Sequence, residues 1–257
     1  IVEASFKLFP LPAGRATFVL DAATLGRTRD LRRRLQHSPL QPMRMVWLDA
    51  EAAQLVRRDS HSPGGAAEVR PAELWIEAGG SARLLERTAR TIEEIGGAAG
   101  AGVERLEPEN AEALWSRIVD FRADFRDAFA GANPELPVLL KVTLPLSSSE
   151  EFIQRAQQRA ASHQARIATL ALLRVGVVHL VLLETPHAAR LSGLIEELRA
   201  AAVALGGALV VERCAPELKS QVDVWGPPGD DFEVMRQLKE AWDPKGILSP
   251  GRFIGHL

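Results

Sequence analysis

The chain has a single cysteine, Cys214, in 257 residues, which excludes an internal disulfide and any cysteine-rich metal site. That usage is compatible with a reducing compartment. An excess of charge is also lacking: 31 basic residues stand against 33 acidic ones, a formal net charge of -2, so there is no field to recruit a polyanion. The longest apolar run, VGVVHLVLL from Val175 to Leu183, has strand length and falls short of the roughly 20 residues of a membrane span. No two of the six histidines stand at the i, i+4 spacing that places two metal ligands on one helix face. The glycine-rich stretch GGAAGAG, Gly96 to Gly102, follows a helical pattern instead of opening one, so it reads as a turn and not as a phosphate cradle. An initiator methionine and a targeting preamble are missing too. Ile1 runs straight into IVEASFKLFPLP, which reads as a cut through a longer polypeptide.

What is present is ordinary for a packed globular protein: 46% hydrophobic and 25% charged residues. The one basic cluster, Arg32-Arg33-Arg34 with Arg27 and Arg29 before it, reads as a solvated helix face, a subunit interface being the sharper alternative. No aromatic residue interleaves it, which argues against stacking on bases.

Periodicity divides the chain into two halves. The first holds strands at RATFVLD, MRMVWLD, ELWIEAGG and GVERLE, a helix from Thr24 to His37, a short helical segment AEAAQLVRR, and a helix capped by Ser81 that stops at Gly96-Gly97. A long helical segment from Pro108 to Phe129, bearing Trp115, Ile118, Val119, Arg122, Phe125 and Phe129, links it to the second half. There VLLKVTLP, RIATLALL, VVHLVLLE and ALVVERC are strands, and the helix with Leu191, Leu194, Ile195, Leu198 and Ala202 stops at Gly206-Gly207. Each half is a βαββαβ unit. The expected fold is therefore α+β, a duplicated ferredoxin-like antiparallel sheet with helices on one face, and the two units can join edge to edge.

Two groups stand out chemically in the second half. His179 lies inside the most apolar strand and is either a satisfied core residue or a functional group, and Arg174 precedes it by five residues at the hairpin. Cys214 neighbours Arg213, which could activate a thiol; a small buried residue at a strand end is the favoured alternative. After VDVWGPPGDD, a helix from Asp231 to Trp242, with Phe232, Met235, Leu238 and Trp242 on one stripe, runs into DPKGILSPGRF. Its Asp-Pro, Gly246 and Pro250-Gly251 specify a backbone path that delivers Arg252 and Phe253.

LKEAWDPKGILSPGRF resembles the C-terminal signature of FAD-linked oxidases of the vanillyl-alcohol oxidase and D-lactate dehydrogenase superfamily, where a helix runs into Asp-Pro, Leu-Asn-Pro-Gly and a basic residue. VDVWG with the following MRQLK helix, and the opening ASFKLFPLP, narrow the likeness to the E subunit of bacterial glycolate oxidase. The resemblance implies an N-terminal FAD-binding domain and a C-terminal cap over the isoalloxazine ring. Residues 1–14 then form a linker remnant and 15–257 the cap, with halves of about 15–107 and 137–214 and a helix and tail at 215–257. The implied reaction is two-electron oxidation of glycolate, a small 2-hydroxy acid. His179 and Arg174 have the chemistry to take a hydroxyl proton and hold a carboxylate, and Arg252 would lie near the flavin or a domain interface.

The chain departs from the catalytic relatives' hairpin pattern His-x-Gly-Asp-Gly-Asn-x-His. With its last histidine set on His179, Leu172 stands at the first histidine, Arg174-Val175 at Gly-Asp, and only Gly176 is kept. A Glu-His-Gly strand end becomes Glu212-Arg213-Cys214. Leucine and valine can neither move protons nor hold a metal, so no metal site is expected. The resemblance thus implies a subunit that holds FAD and relays electrons, while a catalytic paralogue, assembled with an iron-sulfur subunit, oxidises glycolate. Two alternatives remain: a stand-alone oxidase of another small hydroxy acid using Arg174, His179 and Arg213, or a non-catalytic assembly module. A cytoplasmic location follows from the same likeness, with membrane association through partner subunits. For these 257 residues alone the expectation is no useful FAD binding, and a tail that is mobile beyond Pro250 or held by a neighbouring molecule.

Overall fold

The computed structural model describes residues 3–8, 10–57, 71–122, 138–184 and 188–257. His61, His187, Phe125, Phe129 and the HSPGG loop lie outside them. The described chain forms two compact units, the first ending at Val119 and the second starting at Asp120.

The first unit runs β1 (Gly14–Asp21), α1 (Leu25–Gln36), β2 (Arg44–Leu48), α2 (Ala50–Arg57), β3 (Glu73–Gly80), α3 (Ala82–Ala98), β4 (Val103–Leu106) and α4 (Pro108–Val119). Its strands lie in the order β4-β1-β3-β2, every pair antiparallel, as the split βαβ pattern requires. Thr24 and Ser81 cap α1 and α3, their hydroxyls accepting from the amides of Arg27 and Leu84. Helix α3 packs on the face bearing Gly14 and Leu20. The opposite face carries Thr17 and Trp75 and is covered by α2 and α4, beyond the two helices of the simple pattern. There Trp115 of α4 donates its indole N–H to Thr17 at 3.0 Å and meets Trp75 edge-on at 5.9 Å. Arg57 of α2 stacks over Trp75 while pairing with the buried Glu73 and with Glu104, so its charge is not stranded among apolar neighbours.

The second unit runs β5 (Val138–Thr143), α5 (Ser149–Ser162), β6 (Arg166–Leu172), β7 (Val177–Glu184), α6 (Ala188–Ala204), β8 (Ala208–Arg213), the single turn α7 (Pro216–Lys219) and α8 (Phe232–Trp242). Its order β8-β5-β7-β6 repeats that of the first unit. One face, with Leu140, Val142, Val178, Leu180, Ala171 and Leu209, is fully buried. At the same level of the other face, Thr143, Val177, Leu172 and Ala208 are half-exposed or exposed. The apolar stripes of α5 (Phe152, Ile153, Ala156) and α6 (Leu191, Leu194, Leu198) therefore belong on the first face.

Several elements differ from the linear reading. Helix α3 does not stop at Gly96-Gly97 but continues to Ala98, with Gly96 pressed against Val103 and the left-handed residue at Gly100. Its buried stripe is Leu85, Thr88, Ala89, Ile92 and Gly96, whereas Leu84, expected on that stripe from helical spacing, is exposed. Helix α4 ends at Val119, and a 3-10 turn from Asp120 to Arg122 rotates Phe121 into the interior and leaves Val119 outside. In α6 the glycine stop holds: Gly206 takes the left-handed conformation.

Candidate functional site

Strand register builds the site. On the face of the second sheet away from α5 and α6, one row reads Leu170, His179, Lys141, Val210 across β6, β7, β5 and β8. The row on one side of it, Ala168, Val181 and Leu139, is buried; the row on the other, Leu172, Val177, Thr143 and Ala208, opens to solvent. His179 (6% exposed) and half-buried Lys141 thus sit directly opposite one another at the border between apolar interior and water. Directly opposed residues of antiparallel strands hold their Cβ atoms about 5 Å apart, so the two side chains leave the same spot of the sheet face.

Glu212 completes the group. The β5–β8 ladder shifts register between Leu139 and Leu140, leaving Glu212 as the extra residue of a bulge. Its carboxylate reaches across β5 to stand 3.8 Å from Nδ1 of His179, although the backbones of β7 and β8 are two strand spacings, roughly 10 Å, apart. At that distance the two groups are within ion-pair range but beyond a hydrogen bond.

Arg174 is exposed in the turn between β6 and β7, whereas His179 is buried two residues inside β7. The turn depends on Gly176, which has φ of +68° and whose carbonyl accepts from the Leu144 amide at 2.7 Å. A Cβ on Gly176 would collide with the Leu144 carbonyl, so the hairpin requires glycine at this position. Arg213 is half-exposed at the end of β8. Cys214 is buried, and burial pushes its thiol up, against a smaller opposing effect of Lys219. It is the inert alternative of the two considered for it. Lys141 is absent from the sequence-derived candidates. Its signal, a lone cation inside VLLKVT, acquires meaning only once the register sets it against His179. Among the described residues no group of three or more acidic, histidine or cysteine side chains could hold a metal ion.

Arg252 lies elsewhere, on a tail that the unit holds itself. The amide of Val211 donates to the Val224 carbonyl, and buried Arg199 of α6 donates to the Asp223 carbonyl, fixing VDVWG beside β8. Trp225 then donates its indole N–H to the Arg252 carbonyl at 3.0 Å and meets the Phe253 ring edge-on at 4.9 Å. Upstream, Asp243 accepts from the amides of Ile247 and Leu248 and from Lys239, closing the Asp-Pro turn. Lys239 foremost, and then those amides, hold the Asp243 carboxyl below its usual range. The expectation of a tail without a dock is corrected: Trp225 provides one, fixing the Arg252 backbone while the residue stays exposed. The polar side of this region is satisfied, but Val234, Leu238, Trp242, Ile247 and Leu248 face solvent. Only Phe232 and Met235 of the expected α8 stripe are half-buried.

This architecture is that of several solved oxidoreductases and a synthase. The 4-ethylphenol oxidase from Gulosibacter chungangensis, in an isoeugenol complex, superposes with a TM-score of 0.63 at 15% identity over 96% of this chain and 55% of that one. A substrate-bound p-cresol methylhydroxylase gives 0.61 at 15% identity (96% and 54%), and an alkyldihydroxyacetonephosphate synthase 0.61 at 13% (94% and 45%). The chain belongs to the family of FAD linked oxidases, C-terminal domain, whose pattern matches residues 11–253. It is 24% identical over 260 residues to glycolate oxidase subunit GlcD of Bacillus subtilis (strain 168), covering 98% of this chain and 54% of that protein. It thus spans about half the length of the relatives it matches. Among the described residues no helix is long and apolar enough to cross a membrane.

Proposed function

We propose that this chain is the C-terminal part of an FAD-dependent oxidoreductase of small 2-hydroxy acids, of the glycolate oxidase E-subunit type. The supporting observation is the Lys141–His179–Glu212 group on the second sheet, within a chain matched to the FAD-linked oxidase family over residues 11–253. An imidazole within ion-pair distance of a carboxylate, on a sheet face that also bears a lysine, suits a substrate that is both an acid and an alcohol. FAD, when bound, supplies the acceptor for the electron pair and is held mainly by the N-terminal half of the longer protein. Arg252, exposed on a fixed backbone, fits the part of a residue that meets an anionic portion of FAD, and Arg174 lies at the solvent edge of the same unit.

The site is poorer in acid-base groups than the relatives' pattern, with Leu172 and Arg213 at two histidine positions. The E-type reading follows from that shortage: the subunit carries flavin, and a catalytic paralogue with an iron-sulfur subunit turns over glycolate. A stand-alone oxidase is the second reading, favoured by the presence of His179 and Lys141 on one row of the sheet. The test is anaerobic mixing of the flavin-loaded full-length complex with glycolate, lactate, ethanol and a 4-alkylphenol. Flavin bleaching by the hydroxy acids alone is the expected result; bleaching by the phenol or by ethanol overturns the substrate class.

A further inference from the structure

We infer that Trp225 is a positioning residue for Arg252: its side chain ties the tail to the second unit and sets where the Arg252 guanidinium stands. For its consequence the inference rests on the proposed part of Arg252 toward an anionic portion of FAD; the tie itself rests on geometry.

The tie starts in α6. Arg199 is 5% exposed, and its guanidinium donates from Nη1 to the Glu196 carboxylate and from Nη2 to the Asp223 carbonyl. Stripping a buried cation of its partners is costly, so this contact is stiff. Gly226 permits the approach: it has φ of +83°, and a Cβ there would stand 3.1 Å from Nε of Arg199. The carbonyl of Val224 accepts from the Val211 amide of β8, and Oδ1 of Asp223 accepts from the Trp225 amide at 2.9 Å. Trp225 therefore leaves a backbone secured by a helix and a strand. From there the indole N–H reaches the Arg252 carbonyl at 3.0 Å and the ring meets Phe253 edge-on.

Past Arg252 the chain is held a second time. The Phe253 amide donates to the Leu257 carbonyl, and Gly255 lies so close to the Phe232 ring that a Cβ would clash. The neighbouring cations Arg236 and Lys239 are occupied by Glu233, Glu240 and Asp243. Arg252 differs: its backbone is fixed, its side chain is exposed, and among the described residues no acid pairs with it. A cation presented from a fixed backbone loses less conformational entropy when it meets an anion, which is what the Trp225 tie contributes.

The test uses the full-length flavoprotein with Trp225→Phe, which keeps a ring and removes the donor, Trp225→Ala, Arg252→Gln, and each Trp225 variant combined with Arg252→Gln. The first readout is trypsin cleavage after Arg252, followed by mass spectrometry of the peptide that begins at Phe253. Cleavage tracks opening of the tail, so loss of the hydrogen bond speeds it roughly fivefold in Trp225→Phe, and loss of the ring contact as well roughly tenfold or more in Trp225→Ala. The second readout is the FAD dissociation constant. Arg252→Gln weakens it about tenfold, Trp225→Ala about threefold, and the combined variants no more than Arg252→Gln alone, because Trp225 acts through Arg252. Circular dichroism confirms folding, and Trp225→Phe serves if the alanine variant does not fold. Unchanged cleavage in the Trp225 variants, or losses of FAD affinity that add, overturns the positioning role. A parent without FAD, or an affinity that ignores Arg252→Gln, overturns the underlying reading of Arg252 instead, and the cleavage readout keeps the two failures apart.

Discussion

At Cys214 two neighbours act in opposite directions, and burial wins over the charge of Lys219. The native thiol should therefore stay unreactive toward a disulfide reagent near pH 8 and react within the mixing time once the chain is unfolded in guanidinium; fast native labelling would contradict this. Asp243 makes a prediction about acid. Its folded pKa is depressed below 3.8, so its stabilising contribution is fully present above that value and is lost as pH falls through the lower folded value. The tail turn should hold from neutral pH down to about 4 and loosen below it. Asp243→Ala should produce the same loosening at neutral pH, seen as hydrogen exchange on the order of tenfold faster at Ile247 and Leu248. At this scale the sequence reveals residue types but not their opposite numbers. His179 is conspicuous as a polar residue in an apolar strand, while Lys141 needs the β5–β7 pairing before it means anything.

Among the elements, the paired glycines of α3 separate helix propensity from packing. Gly97 is in the last turn of α3 with open space where a Cβ would go, so Gly97→Ala should stabilise the protein by roughly 0.5 kcal/mol. Gly96 is buried against Val103 and the Ala101 carbonyl, so Gly96→Ala should destabilise despite the same gain in propensity. Urea unfolding of the two variants gives opposite shifts in midpoint if α3 runs through both. If the helix ended at Gly96-Gly97, as the linear pattern implies, alanine at Gly97 would bring no such gain. In α6, Leu194 is wholly buried, and Leu194→Ala should cost about 2–5 kcal/mol in the same assay. Strands and the order βαββαβ were legible because period-two apolar runs bounded by turns carry their own signal. Helix ends were less so: α3 runs on through its glycine pair, Gly96 packing closely against Val103, and the 3-10 turn after α4 follows from where Phe121 finds burial, a tertiary choice.

For the whole molecule, the repeated strand order and the family match over residues 11–253 agree with the resemblance carried by the tail. That tail was legible as a motif because its prolines and glycines fix a path. Its dock was not, because Trp225 lies 27 positions before the Arg252 carbonyl it binds. The apolar residues facing water on α8 and after it, Trp242 and Ile247 foremost, mark an apolar surface left open among the described residues. The central claim, that this is a subunit of an FAD-dependent 2-hydroxy-acid oxidoreductase whose own site no longer oxidises, meets its most direct test in one spectroscopic comparison. The full-length flavoprotein is mixed anaerobically with glycolate, first alone and then with its catalytic paralogue and iron-sulfur partner, while the flavin band is followed. Bleaching only in the complex is the predicted result, and bleaching of the lone subunit, or of neither, would contradict it.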